Sequence, residues 1–339
     1  MMKRIIDIWI MALVFVACSD SADVPQEGRD ICLNAAVGEI ESRYVGTTPT
    51  AGNPLDAWVW FSESNSDFKH NPTATNYLPC RTEMSFDGTP TYAYYKVADN
   101  KQYNLEYQST QLNNAYVPVY CVGFHPNSVW TTTDGKTATA TIDGTQDLMF
   151  AKRISGTWGE PFGSTDANRN LKFDHLLTWV KICVCATSQE AVEAWGTITD
   201  VSISSDTQIS VDAIDGTAIT NTSGMIPVAI DADDGKLPLQ TITQELGEVY
   251  CSSPKEGTVN SETEYIYTVK MTVGGKDVGI QIPVKDFDGN KLSDTKGKLI
   301  ILTLYFNKFD MIEGVCTLNA WEAQNEDLYM GTPTTVTTP

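Results

Sequence analysis

Apolar and polar residues alternate with a period of two through much of the chain. In the first half, Ile31/Leu33/Ala35/Val37, Leu55/Ala57/Val59/Phe61 and Val117/Val119/Cys121 predict half-buried strands. In the second half, Tyr265/Tyr267/Val269/Met271/Val273 and Val278/Ile280/Ile282/Val284 flank Gly274-Gly275-Lys276-Asp277. Glycines supply the positive φ of a tight reversal, so this stretch predicts a β-hairpin. Leu299/Ile301/Thr303/Tyr305 interleave with Ile300/Leu302/Leu304/Phe306, and a run apolar on both faces predicts a central strand. Turn clusters such as Thr133-Asp134-Gly135 and Asp286-Phe287-Asp288-Gly289 part the runs at the interval of β-sandwiches. Thr187-Ser188-Gln189-Glu190 reads as a capping box with Thr187 as N-cap and Glu190 at N3; Gly196 closes a helix of about two turns. No βαβ pattern and no internal repeat is visible. The polar, turn-forming segment from Thr165 to Asn170 divides the strands into two sets. The expectation is an all-β chain of two β-sandwich domains in tandem, residues 30–168 and 169–339, with one short helix.

The first residues break the alternation. Lys3 and Arg4 precede an apolar run from Ile8 to Ala17, the charged and apolar regions of an export signal, and shorter than the roughly 20 apolar residues of a membrane span. The run ends in Phe15-Val16-Ala17-Cys18, which resembles a bacterial lipobox. On that reading residues 1–17 are a lipoprotein signal peptide, Cys18 is the lipidated first residue, and residues 18–29 are a solvated acidic tether. Acyl chains on one cysteine, at about 0.8 kcal/mol per buried CH₂, would hold the chain firmly at the outer membrane. An ordinary cleaved signal is the competing reading. Acidic residues close behind Cys18 also resemble the surface-export signals of Gram-negative anaerobes.

Composition narrows the function. The 339 residues carry 23 Lys+Arg against 43 Asp+Glu, a net charge of −20, which excludes a broad basic face for nucleic acid. With 42% hydrophobic and 19% charged residues the chain can bury a core. After Cys18, seven cysteines remain (Cys32, Cys80, Cys121, Cys183, Cys185, Cys251 and Cys316), an odd number that cannot all pair. Most lie in alternating apolar runs, where cysteine acts as a small hydrophobe.

Asp147-Leu148-Met149-Phe150-Ala151, a polar loop, and then Leu171-Lys172-Phe173-Asp174-His175-Leu176-Leu177-Thr178-Trp179-Val180 resemble the fimbrillin family of lipoprotein pilins, which carries a "DLLxA" segment, a variable loop and "FxHxLAxLxxxV". The lipobox at Cys18, an early strand leading to Ser42-Arg43, and a late apolar strand from Val315 to Trp321 agree with the resemblance. The family implies transthyretin-like, Greek-key sandwiches. It also implies cleavage by a trypsin-like protease after an arginine that follows the first strand, which Arg43 matches. Loss of that strand would open a groove, and a terminal strand from a neighbouring pilin subunit would fill it. Arg29 is a rival cleavage site but precedes the strand. Phe173, His175, Leu177 and Trp321 carry the structural motif. Read from the residues alone, Leu171, Phe173, His175, Leu177 and Trp179 share one face and Val180, Ile182 and Val184 the other, so a bulge is expected near Trp179-Val180. His175 reads as a hydrogen-bonded packing residue.

Other chemistry is sparse. Asp231-Ala232-Asp233-Asp234-Gly235 and Asp286 to Asn290 place carboxylates in turns but lack the downstream glutamate of a calcium loop. No G-x-S-x-G, P-loop or H-E-x-x-H occurs, and three scattered histidines offer no nucleophile–base pair. No enzyme activity, cofactor or metal is expected. Two functions remain. One is a surface-anchored, lipid-bearing fimbrial subunit that assembles with homologous pilins and adheres to a host or bacterial surface. The alternative is a glycan-binding outer-membrane lipoprotein, with Trp58 and Trp60 on one side of their strand as a sugar platform.

Overall fold

The computed structural model describes residues 29–37, 49–68, 79–96, 102–107, 118–163, 167–232, 234–286, 288–308 and 312–320. Cys18, Arg43, Trp321 and the C-terminal extension lie outside the described residues. The chain is all-β with a single short α-helix, Gln189–Trp195. Among the described residues no helix is long and apolar enough to cross a membrane.

Three larger sheets organise the molecule. The first has six strands in the order Ala35–Val37, Leu171–His175, Met149–Gly156, Val119–His125, Leu55–Ser62, Cys80–Phe86. The second has four: Gln244–Cys251, Thr178–Ala186, Lys298–Phe306, Ile312–Ala320. The third runs Trp130–Thr131, Thr137–Thr141, Thr197–Asp212, Glu262–Val273, Lys255–Val259. Ala218–Val228 and Leu237–Pro238 also pair with its long strand Thr197–Asp212, and Lys276–Pro283 pairs with Glu262–Val273.

The expected hairpin is present. Gly274 and Gly275, at φ 57° and 80°, form a two-residue loop between paired Val273 and Lys276. A Cβ on Gly274 would also strike the carbonyl of Trp195. Lys298–Phe306 is central as expected, parallel to Thr178–Ala186 and antiparallel to Ile312–Ala320. The helix cap differs by one residue from the expectation. Ser188, not Thr187, is the N-cap: its Oγ accepts from Ala191 N at 3.2 Å, while Thr187 Oγ1 donates to Phe306 O. Two adjacent hydroxyls can each cap, and the contact with Phe306 takes Thr187 out of contention. Gly196, at φ 79°, closes the helix as expected.

The alternation of Leu55–Ser62 shows how the cores are arranged. Leu55, Ala57, Val59 and Phe61 face a cluster with Ile31, Leu33, Val119, Cys121, Leu171 and Phe173. On the opposite face Trp60 joins Val122, Phe124 and Phe150 in a larger cluster that contains Val180, Val249, Ile282 and Leu302. The first sheet therefore packs on both faces, and one face is shared with the second half of the chain. Sheet membership changes at Leu176-Leu177, after the strand Leu171–His175. Two reciprocal crossings tie the halves. Thr137–Thr141 leaves the first half to pair with Thr197–Asp212, and the tip of the hairpin beyond Asp212 returns, Ile214 O accepting from Arg153 N at 3.1 Å.

Candidate functional site

The first strand is the candidate for a functional role, and the structure shows how it is held. Ile31/Leu33/Ala35/Val37 do not form one ladder; the segment passes through three successive partners. Arg29–Asp30 pairs with Glu106–Tyr107, Cys32–Leu33 with Thr91–Tyr92, and Ala35–Val37 runs parallel to Leu171–Phe173 at the edge of the six-stranded sheet. Between them Ile31 N donates to Leu105 O at 2.7 Å, Ile31 O accepts from Ala93 N at 2.9 Å, and Asn34 O accepts from Leu171 N at 2.9 Å. Period-two burial still holds: Ile31 and Leu33 are fully buried and Ala35 nearly so. The strand begins at Arg29, one residue inside the expected tether, and the Arg29 guanidinium donates to Trp158 O at 2.9 Å.

The walls around this segment are apolar and close. Ala93, Leu105, Tyr107, Phe162 and Leu171 are buried in the same cluster as Ile31 and Leu33. The Tyr107 hydroxyl accepts from Phe162 N, and burial pushes its pKa up. Gly163, at φ 69°, lies where a Cβ would come within 2.9 Å of Cys32 O, so this approach requires a glycine. Taking the segment away would leave the inward donors and acceptors of Ala93, Leu105 and Leu171 without their partners beside an apolar slot.

The motif residues come together at the seam between the halves. Phe173 is fully buried in the first core, and its ring fills the space that a side chain on Gly123 would need, 2.6 Å from that Cβ position. Leu177 is buried in the other cluster and Trp179 is half-buried, paired with Tyr250 at a ring separation of 6.3 Å. The expected single stripe is thus divided between two sheets. The change of face comes from the chain leaving one sheet and entering the next, not from a bulge at Trp179-Val180. Met149 pairs with both His125 and His175, setting the two histidines on strands flanking a common neighbour.

His175 Nδ1 lies 2.6 Å from Asp147 Oδ2, both side chains nearly buried. An ionised carboxylate only accepts, so the proton sits on Nδ1. Asp147 Oδ1 is buried with no hydrogen-bond partner among the described residues. His125 Nδ1 donates to Asp56 O at 2.7 Å, and burial holds its pKa below the ordinary imidazole range, against the opposing bond to Asp56. Tyr250, half-buried near Asp147 and Glu248, is pushed up to about 12, mainly by loss of solvent. The aspartate of the first motif segment and the histidine of the second therefore bond to each other, a pairing that twenty-eight positions of separation hid from the sequence. Among the described residues no three His, Cys, Asp or Glu side chains converge as a metal-ligand set.

No family model matches the chain, and no curated protein matches it. Solved structures similar to it include a provisionally assigned cell adhesion protein from Bacteroides uniformis, at 16% identity and TM-score 0.49, covering 86% of this chain and 99% of that one. Another is the fimbrial anchor protein Mfa2 from Porphyromonas gingivalis, at 11% identity and TM-score 0.41, covering 87% and 98%. A third is the tip fimbrial protein Mfa3 from the same organism, with a C-terminal truncation, at 12% identity and TM-score 0.41, covering 87% and 100%.

The tryptophan pair has a different geometry from a sugar platform. Trp60 is fully buried and Trp58 half-buried, with their rings 5.0 Å apart at 87°. The Arg81 guanidinium lies 4.6 Å from the Trp60 ring centroid and 5.4 Å from that of Trp58. Edge-to-face rings beneath a cation offer no flat surface for a pyranose. The seven described cysteines are all unpaired. Burial pushes Cys80, Cys251 and the half-buried Cys316 up to about 12, away from the thiolate form.

Proposed function

We propose that this chain is a surface-displayed fimbrial subunit with an adhesive, non-enzymatic role, tethered through lipid on Cys18 and assembled with other pilin subunits by strand exchange. The observation that carries the reading is the first strand. It is buried like a core element, yet it is bonded piecewise to three partners and runs parallel at a sheet edge, so one backbone cut behind it would make it removable. Cleavage after Arg43 would provide that cut. The slot between Ala93, Leu105, Tyr107, Phe162 and Leu171 would then accept an extended apolar segment from a neighbour. Residues 322–339 supply a candidate donor, with Leu328, Tyr329, Met330, Val336 and β-branched threonines.

Limited trypsin on the lipid-free protein tests the reading. It should convert monomer into SDS-resistant ladders, and both Arg43→Ala and deletion of residues 325–339 should abolish them. Ladders that survive the deletion would exclude the C-terminal donor; a clipped chain that stays monomeric would exclude assembly by strand exchange. Anchoring is tested separately by Cys18→Ala, which should release the protein from the membrane fraction. A variant that stays with the outer membrane after a carbonate wash would overturn the lipid tether.

A further inference from the structure

The slot behind the first strand sets a side-chain rule as well as a backbone rule. Ile31 and Leu33 are fully buried, Ala35 at the next inward position is small, and Cys32 and Asn34 between them are only half-buried. An occupant therefore needs two large apolar residues two apart, followed two positions later by a small one. Its direction is fixed too, because Ala35–Val37 runs parallel to Leu171–Phe173.

Residues 322–339 satisfy that rule in a single placement. Their large apolar side chains are Leu328, Tyr329, Met330 and Val336, and only Leu328 and Met330 stand two apart. Setting Leu328 at Ile31 and Met330 at Leu33 puts Asp327 at Asp30 and Thr332 at Ala35, so that Asp327-Leu328-Tyr329-Met330-Gly331-Thr332 follows the pattern of Asp30-Ile31-Cys32-Leu33-Asn34-Ala35. We infer that Asp327 to Thr332 is the segment that seats in the slot of a neighbouring copy, in this register, with Val336 outside it. The inference rests on the strand-exchange reading above and assigns the register of the incoming strand.

Two contacts of the resident strand favour this register. Asp30 Oδ2 accepts from Asn104 Nδ2 at 2.9 Å, and Asp327 supplies the same acceptor. Cys32 pairs with Tyr92, whose side chain is 56% exposed, and Tyr329 in place of Cys32 sets an aromatic ring across from it. Two other contacts are not remade. Glu326 and Gly331 replace Arg29 and Asn34, which bond to Trp158 O and Gly163 O. Pro333 falls at Ala36 and, having no N–H, ends the ladder there. The uncut first strand is thus the better occupant, and exchange waits for its removal.

Peptide binding to the trypsin-clipped, lipid-free chain, separated from its first strand by gel filtration, tests the register. A peptide of residues 30–37 is the reference occupant. A peptide of residues 325–334 should also be retained and should block ladder formation. Leu328→Asp and Met330→Asp in that peptide should each weaken binding by about tenfold or more, since each sets a carboxylate among apolar walls. Asn104→Asp in the clipped chain should weaken the parent peptide by bringing two carboxylates together, and Asp327→Asn in the peptide should restore binding. In the full chain, Val336→Asp should leave the ladders unchanged. If neither peptide is retained, the strand-exchange reading falls and the register with it. Retention of the 30–37 peptide alone overturns the register and leaves the reading standing. So does a 325–334 peptide that binds equally well with Leu328→Asp and Met330→Asp, or whose binding ignores Asn104→Asp.

Discussion

The charge state of His125 is tied to the fold. Its Nδ1 proton is committed to the Asp56 carbonyl, so a second proton must enter at Nε2, and burial of the ring opposes it. With the folded value below the unfolded one, the unfolded chain takes up the proton first as pH falls through about 6.5. Stability is therefore greatest above that value and declines as pH falls toward the folded pKa. Urea midpoints measured between about pH 7.5 and pH 5.5 should drop in the parent, and the drop should shrink in His125→Gln. The neighbouring pair behaves differently. Replacing His175 with leucine removes the partner of a carboxylate whose other oxygen already lacks one, so His175→Leu should cost more than an ordinary surface change, about 1–3 kcal/mol or more. Removing both ends, in Asp147→Leu with His175→Leu, should recover part of that loss, which a double-mutant cycle measures directly. Phe173→Ala, at a fully buried site, should cost about 3–5 kcal/mol, and the half-buried Trp179→Ala clearly less.

At the scale of elements, the interlock between halves rests on close contacts. Gly216, at φ 75°, sits at the tip of the hairpin between Thr197–Asp212 and Ala218–Val228, where a Cβ would run into the ring of Phe150. Gly216→Ala should combine backbone strain with displacement of the tip, and amide exchange at Arg153 and Ala213 should rise, because both donate to carbonyls held by this packing. Uniformly unchanged protection would show that the tip is not a fastening. Elements with a local signature were legible beforehand. The hairpin at Gly274-Gly275, the central strand Lys298–Phe306 and the short helix follow from period and turn chemistry within one window of sequence. What escaped that reading was non-local. Period two marked Ile31, Leu33 and Ala35 as buried but could not say that three partners share them. The same alternation from Leu171 to Trp179 suggested a single strand with a bulge, because a chain crossing between two packed sheets keeps its in-and-out rhythm while changing its neighbours. The Asp147–His175 bond joins residues on different windows, and its two motif halves were visible only as separate apolar strings.

On the scale of the whole molecule, the first half has a core of its own around Leu33, Val59 and Phe173 and contributes its other face to a second core shared with the rest of the chain. Trp60, Phe124 and Phe150 belong to the first sheet, yet they are buried in the cluster that holds Val249, Ile282 and Leu302. Separating the halves would expose this face, and each large aromatic uncovered costs about 1.5–3 kcal/mol. It would also break the ladder between Thr137–Thr141 and Thr197–Asp212 and the return contact from Ile214 to Arg153. A fragment ending at residue 168 loses still more, since the strand Leu171–His175 carries Phe173 and separates Ala35–Val37 from Met149–Gly156 in the first sheet. The two halves should therefore unfold together. Calorimetry of the intact chain should give one transition, with calorimetric and van't Hoff enthalpies in agreement, as for a single cooperative unit. A fragment of residues 30–168 should lack a sharp melting transition. Extending it to residue 176 should restore the sixth strand but still leave Trp60, Phe124 and Phe150 uncovered, and so should give a species that binds hydrophobic dyes. Two resolved transitions in the intact chain, or a cooperatively folding 30–168 fragment, would mean that the shared face contributes little and that each half is self-sufficient.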